Sequence, residues 1–222
     1  MGLLWLRMKV AVWEMVERCR VAQRYWRRSS LFRKVDLALW AAYASHSPFK
    51  ISKNFLRERG IANIYSYGET PLTTMELIAN SCGLTATDHV VELGCGTGRA
   101  CFWLRCFVGC QTTGIEFIPE YVVKAHLLQQ RFHIDKISFI LTDMAYAELF
   151  SATAVYLYGT SMEEEEIGAL APVLDKLPRG AKLITVSWHF KEFFHTPAFS
   201  VVKQFSAPFP WGYADVYLQI KE

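Results

Sequence analysis

The chain is notable first for what it lacks. No uninterrupted run of about 18 uncharged apolar residues occurs, which excludes a conventional membrane-spanning helix. Arg7, Lys9 and Glu14 interrupt the apolar N-terminus, so a secretory leader is not expected. There is no C-x-x-C pair, which removes the usual zinc arrangement, and no metal site is expected. Internal repeats and low-complexity segments are also missing. Charged residues make up only 20% of the 222 residues while hydrophobic ones make up 52%, which excludes a disordered chain and provides for a substantial core.

What is present is unevenly placed. Four of the six cysteines (Cys95, Cys101, Cys106 and Cys110) crowd one short stretch, with Cys19 and Cys82 apart from them. A disulfide scaffold would distribute them differently and in a much smaller chain. They read as reduced, small core residues of an intracellular, cytoplasmic protein. Residues 1–34 hold nine Lys/Arg against two Glu, a net +7, so the rest of the chain carries −4 of the overall +3. A basic arm on a mildly acidic body is the pattern of an interaction segment.

Residues 3–28 read as one long helix. Spaced at about 100° per residue, Leu4, Trp5, Met8, Ala11, Val12, Met15, Val16, Cys19, Ala22 and Trp26 form one apolar stripe, with Arg18, Arg20, Arg24, Arg27 and Arg28 opposite. Leu3, Leu6, Val10 and Trp13 break the pattern on the other side. Two readings stand. The stripe packs on the body or on a second copy, or it lies on an anionic membrane surface or docks a partner protein. Further helices are expected over Leu31–Ser45 and Phe49–Arg59, so residues 1–62 form a helical segment and 63–222 the main domain. A loop follows over 64–71, and Pro71 is placed in the first turn of a helix reaching Cys82.

From His89 the chain alternates. Strands are expected at His89–Leu93, Gln111–Glu116, Ile137–Leu141, Ala154–Tyr158 and Ala181–Trp188. Helices are expected at Arg99–Phe107, Pro119–His133 and from Glu163 to Lys176. Two last strands, Ser200–Phe205 and Ala214–Ile220, close the chain. Repeated strand–helix units predict an α/β, Rossmann-like, doubly wound sheet of seven mostly parallel strands with an antiparallel C-terminal strand, preceded by the helical cap.

The stretch organising the chain is His89–Gly98, HVVELGCGTG. A buried strand ends in Gly94-Cys95-Gly96-Thr97-Gly98 and opens a helix at Arg99. Glycines let backbone approach a ligand, and the helix N-terminus offers free N–H groups. The interval is G-x-G-x-G, not the G-x-G-x-x-G of pyrophosphate-binding dehydrogenases, so a nucleoside without phosphates fits better. Glu92 precedes the loop. Glu116 ends the next strand 22 residues after Gly94, near the spacing of about 20 at which a strand-end acid reaches ribose hydroxyls.

These residues resemble the glycine-rich motif of class I S-adenosylmethionine-dependent methyltransferases. The likeness runs over roughly 65–190 and implies S-adenosyl-L-methionine as cofactor. It implies Glu92, Gly94, Gly96 and Gly98 as the cofactor loop and Glu116 as the ribose acid. Asp143 would be the adenine acid, with Met144 flanking the ring. Upstream, Tyr67-Gly68-Glu69-Thr70 is similar to the substrate-entry loop of the non-SET histone lysine methyltransferases, the disruptor of telomeric silencing family. That likeness implies that Tyr67, Glu69 and Thr70 meet the cofactor, that Thr70 sits near the transferred methyl, and that the acceptor is a protein lysine. Where that family has Asn-Asn-aromatic after the fourth strand, this chain has Tyr158-Gly159-Thr160-Ser161. Thr70, Tyr158 and Thr160 are therefore the candidate catalytic residues. Tyr67, Tyr158 and Trp188 are candidates for an aromatic acceptor channel, with core packing as the alternative for each. RNA or a small metabolite is the competing acceptor. The basic arm alone favours nucleic acid, and the D/N-P-P-Y motif of amide and adenine amino methylation is absent after the fourth strand.

Overall fold

The computed structural model describes residues 2–61, 63–64, 67–190 and 198–222, with the side chains of 2–4, 6 and 7 outside the description. Tyr65 and Ser66 of the expected loop, and Leu3, Leu4 and Leu6 of the expected helix faces, therefore fall outside it.

Seven strands form one sheet in the order β3-β2-β1-β4-β5-β7-β6. They are β1 (His89–Leu93), β2 (Gln111–Glu116), β3 (Ile137–Leu141), β4 (Ala154–Leu157), β5 (Lys182–Val186), β6 (Phe199–Phe209) and β7 (Gly212–Lys221). The first five pair in parallel, and β7 runs antiparallel to both β5 and β6. This is the predicted sheet. Its central strands are buried on both faces: Val90, Ala154 and Tyr156 meet one apolar layer, and Val91, Leu93, Val155 and Leu157 meet the other. Ala154–Leu157 reads as an unbroken apolar run, and β1 as Val90, Val91 and Leu93 around Glu92, which is why they were legible.

Strand order reverses between β1 and β4. In a doubly wound sheet the crevice opens at such a point, at the C-terminal strand ends. Leu93 pairs with Leu157, so the loop beginning at Gly94 and Tyr158 leave the sheet side by side. Glu116 pairs with Leu141, which brings Asp143 to the neighbouring strand end.

The helices are α1 (Gly2–Val21), α2 (Ser30–Ala42), α3 (Pro48–Glu58), α4 (Leu72–Ser81), α5 (Arg99–Trp103), α6 (Pro119–Arg131), α7 (Glu164–Ala169) and α8 (Ala171–Leu174). Their starts have local causes. Ser29 and Ser47 side chains accept from the Phe32 and Lys50 N–H groups, and Pro48 begins α3. Glu163 and Glu166 form a reciprocal capping box at α7. Among the described residues, no helix is long and apolar enough to cross a membrane.

Three expectations change. The 3–28 helix is interrupted by a π-helical turn over Ala22–Trp26, and the Arg99–Phe107 helix passes into another over Leu104–Val108. Pro71 sits one residue before α4 in extended conformation, not in its first turn. The α4 N-terminus is instead capped from a distance: buried Glu17 accepts the Thr73 N–H at 3.0 Å and its hydroxyl at 2.7 Å.

The third change is the orientation of α1. Val21, Glu17 and Tyr25 are buried against the body, with Val10 and Trp13 half-buried. The stripe expected to pack, from Trp5 to Cys19, faces outward. Val21, Tyr25, Phe32, Val35 and Leu39 belong to the same hydrophobic cluster as Cys101, Phe102 and Trp103 beneath the glycine loop. Asp36 on α2, fully buried, receives Arg99 Nε at 2.6 Å, Arg99 Nη2 at 3.1 Å and Trp26 Nε1 at 2.9 Å. One core and one buried ion pair therefore join the N-terminal helices to the sheet.

Candidate active site

Two cavities lie at the C-terminal strand ends. The first, of about 300 Å³, is walled by Gly94 and Gly96, by Glu116, by Asp143 and Met144, and by Tyr121 from α6. The second is a chamber of about 650 Å³ between α1, α2, the 67–71 segment and the β6–β7 turn. They share three residues: Tyr67, Gly68 and Tyr158.

Gly94 and Gly96 have φ of +72° and +54°, a backbone that disfavours a side chain, and a Cβ on Gly96 would meet the Tyr67 ring at 3.3 Å. Glu116 is buried and holds this loop in place. Its Oε2 accepts the Gly96 N–H at 2.9 Å, and its Oε1 accepts the Phe117 and Ile118 N–H groups, each at 2.8 Å. Burial raises its pKa, against the pull of the three N–H donors. With two bonds on Oε1 and one on Oε2, the carboxylate keeps acceptor capacity for ligand hydroxyls. Asp143 is exposed and accepts the Ala145 N–H at 2.9 Å, which turns the chain after β3 and sets Met144 beside Gly94.

The shared wall is tied together by ring stacking and hydrogen bonds. The Tyr158 ring stacks on Phe209 with centroids 5.3 Å apart, Phe209 stacks on Trp211, and the Trp211 indole N–H donates to the Tyr158 hydroxyl at 2.9 Å. Gly68 lies against this ring so closely that an added Cβ would fall 2.8 Å from Tyr158 Cε1. The Tyr67 hydroxyl donates to Glu69 Oε1, which also accepts from the Thr97 hydroxyl at 2.7 Å. Glu69 thereby ties the 67–70 segment to the glycine loop.

Other predicted residues are placed differently. Glu69 and Thr70 line the chamber, not the first cavity. Thr70 is buried and shares a hydrogen bond with the Tyr156 hydroxyl. Glu92 lies behind the loop, where Cys101 Sγ donates to its Oε2 at 3.0 Å. Burial is the chief cause that lifts its pKa from the ordinary 4.5 to about 8; nearby Glu69 and Glu116 add to the rise and the Cys101 bond opposes it. Gly98 lines neither cavity. It begins α5 with φ +77°, and a Cβ there would lie 2.5 Å from the Phe139 ring, so its place is set by packing. Thr160 is half-buried outside both linings. Trp188 is buried in the layer around α7 and α8, behind Gly159, and does not reach the chamber. Its position beyond the end of β5 turns it into that layer and away from the crevice.

The chamber's remaining walls escaped the sequence. Trp13, Glu14 and Glu17 come from α1, Trp40 and Tyr43 from α2 and its end, and Trp211 from the hairpin turn. The available signals were Trp13 breaking the helical pattern and a Trp between Pro210 and Gly212. The Tyr43 hydroxyl is buried with no hydrogen-bond partner among the described residues.

No protein-family model matches the chain, and neither does any curated protein. Solved structures do. An RNA methyltransferase from Salinibacter ruber, in complex with S-adenosyl-L-homocysteine, aligns over 70% of this chain and 95% of its own, with TM-score 0.57 and 22% identity. The fold is that of the class I S-adenosylmethionine-dependent methyltransferases. The B. subtilis M1A22 tRNA methyltransferase TrmK aligns over 67% of this chain and 65% of its own, with TM-score 0.57 and 12% identity. Geranyl diphosphate C-methyltransferase from Streptomyces coelicolor, in complex with Mg2+, geranyl diphosphate and S-adenosyl-L-homocysteine, aligns over 68% and 78%, with TM-score 0.56 and 12% identity. The methyltransferase fold thus carries different acceptors. The narrower likeness to the non-SET histone lysine methyltransferases is left resting on Tyr67–Thr70 alone.

Proposed function

We propose that the chain is an S-adenosyl-L-methionine-dependent methyltransferase whose acceptor is a small amine held in the chamber. The observation that carries this is the pair of cavities meeting at Tyr67, Gly68 and Tyr158. The first cavity fits the cofactor by its donor set. Gly94 and Gly96 admit close backbone approach. The spare acceptor capacity of Glu116 receives ribose hydroxyls, and Asp143 with Met144 borders the base. Glu69, one residue beyond the shared wall, is within the segment that would meet the amino-acid end.

When bound, the cofactor supplies an electrophilic methyl on a sulfonium, a leaving group good enough that alignment is the protein's main task. Alignment contributes on the order of 7–11 kcal/mol. The stack of Tyr158, Phe209 and Trp211 fixes the passage between the cavities. Trp13, Trp40 and Tyr43 line the chamber together with Glu14, Glu17 and Glu69, whose carboxylates attract a cationic amine; its proton leaves to water before the lone pair attacks. The aromatic faces favour the positive charge that develops on nitrogen. The Tyr43 hydroxyl is available to a polar group of the acceptor.

A chamber of about 650 Å³ is in the size range of small-molecule sites, about 300–1,000 Å³. A lysine side chain asks only for a tube one alkyl chain wide. The volume is the observation that favours a small amine over a protein lysine, the reading that Tyr67–Thr70 supports. The cofactor assignment is tested by calorimetry with S-adenosyl-L-homocysteine: Glu116→Ala and Gly96→Arg are expected to abolish binding, and unchanged affinity in both refutes it. The acceptor is tested by labelled-methyl transfer to cell extract separated into small molecules, protein and RNA. Label is expected in the first fraction; label in protein lysines or in RNA would replace the acceptor.

A further inference from the structure

The outward face of α1 has no partner in the fold. Trp5, Met8, Val12 and Met15 are 59%, 60%, 56% and 59% exposed, far beyond what scattered surface apolar residues require. Val16 and Cys19 continue the same stripe. The helix is thus apolar on two sides. The narrower side, with Val10, Trp13 and Val21, is spent on the body.

The charges around the stripe say what covers it. On ideal helical spacing Lys9 and Arg20 run along one edge, and Arg18 lies on the other. Lys9 Nζ stands 3.6 Å from the Trp5 ring centroid, and the Arg18 guanidinium 4.5 Å from that of Trp40. Arg27 and Arg28 are exposed beyond the π-helical turn. Of the acids of the arm, Glu17 is buried, and Glu14, which is exposed, lines the chamber together with Arg18. Apolar residues including Trp, edged by Lys9 and Arg20, match an anionic lipid surface, where tails take the stripe and headgroups take that edge. A second copy fits poorly. A two-fold contact through this stripe would set the cationic edges against each other without an acid to pair them.

We propose that α1 lies in the interface of an anionic lipid membrane through Trp5, Met8, Val12, Met15 and Val16, with Lys9 and Arg20 on the headgroups. The helix does not cross the bilayer. Its opposite face keeps Trp13, Glu14 and Glu17 as a chamber wall, so docking leaves the chamber intact.

The test is co-sedimentation of the full chain with vesicles of phosphatidylcholine alone and of phosphatidylcholine mixed with phosphatidylglycerol. The chain is expected to bind the anionic vesicles and to be released as salt rises, and not to bind the neutral ones at matched lipid. Met8→Glu/Val12→Glu/Met15→Glu is expected to reduce partitioning by at least about tenfold, as is Lys9→Glu/Arg20→Glu. Both sets lie outside the core, so melting temperature should not change, which separates lost docking from lost folding. Three outcomes overturn the proposal: no preference for anionic vesicles at low salt, unaltered binding by the triple variant, or a dimer in sedimentation equilibrium that the triple variant dissolves. None of them bears on cofactor binding, which calorimetry reads separately.

Discussion

Replacing Asp36 by Asn keeps its shape and removes its charge. Arg99, whose side chain is only 20% exposed, then loses the carboxylate held at 2.6 Å, and the Trp26 indole meets an amide in place of an anion. Stripping one partner from a buried ion pair costs about 3–5 kcal/mol, because the remaining charge stays desolvated. In a domain of this size one kcal/mol moves the melting midpoint by about 2–4 °C, so the variant is expected to melt roughly 6–20 °C lower. The assay is thermal or urea unfolding of wild type, Asp36→Asn, Asp36→Leu, Arg99→Met and the double variant Asp36→Leu/Arg99→Met. The double variant is expected to recover most of the loss, since apolar residues can replace a buried pair at little cost, leaving only the Trp26 N–H unmet. A melting midpoint for Asp36→Asn within about 2 °C of wild type would refute the reasoning. So would a double variant as unstable as the two single losses added together, which would mean the residues do not act as a pair.

Glu92 gives a pH dependence. Its pKa is raised to about 8 from an ordinary 4.5, so between those values the folded state holds a proton that the unfolded state has released. Its stabilising contribution is full below about pH 4.5 and is lost as pH rises toward 8; melting curves across that window should show the decline, and Glu92→Gln should flatten it. Gly98→Ala forces a Cβ into Phe139 at a left-handed backbone position, and a loss of about 2–4 kcal/mol in urea unfolding is expected. The fraction that folds should bind S-adenosyl-L-homocysteine with near wild-type affinity in calorimetry; a large drop there would make Gly98 a cofactor contact.

The sheet was legible because parallel strands buried on both faces are short and mostly apolar, as Ala154–Leu157 is throughout and His89–Leu93 is at Val90, Val91 and Leu93. The glycine loop and Glu116 were legible because their spacing is local to one strand–helix–strand unit. What was not legible depends on distance or on direction. Asp36 and Arg99 are 63 residues apart, and nothing in their local sequence joins them. Periodicity located the stripe on α1 correctly but not its neighbour: with apolar residues on both sides, the narrower face won because it carries Glu17 to the α4 N-terminus and leads to Tyr25 in the core. Trp188 was assigned from its strand end alone, and a turn of one or two residues past a strand end is enough to send a side chain into a different layer. Trp211 is the opposite case, carried to the site by a hairpin whose strands lie at the far edge of the sheet.

The wall of Tyr67, Gly68 and Tyr158 has a consequence in kinetics. Neither cavity is sealed, and apart from those three residues their linings are separate. Two ligands approaching from opposite sides of one partition do not stand in each other's way. Each can enter or leave while the other stays. Each ligand should then bind the free protein without the other, and a dead-end acceptor analogue should compete with the acceptor and be noncompetitive against the cofactor. An enzyme with a single shared entrance would instead be forced to load and unload in a fixed order.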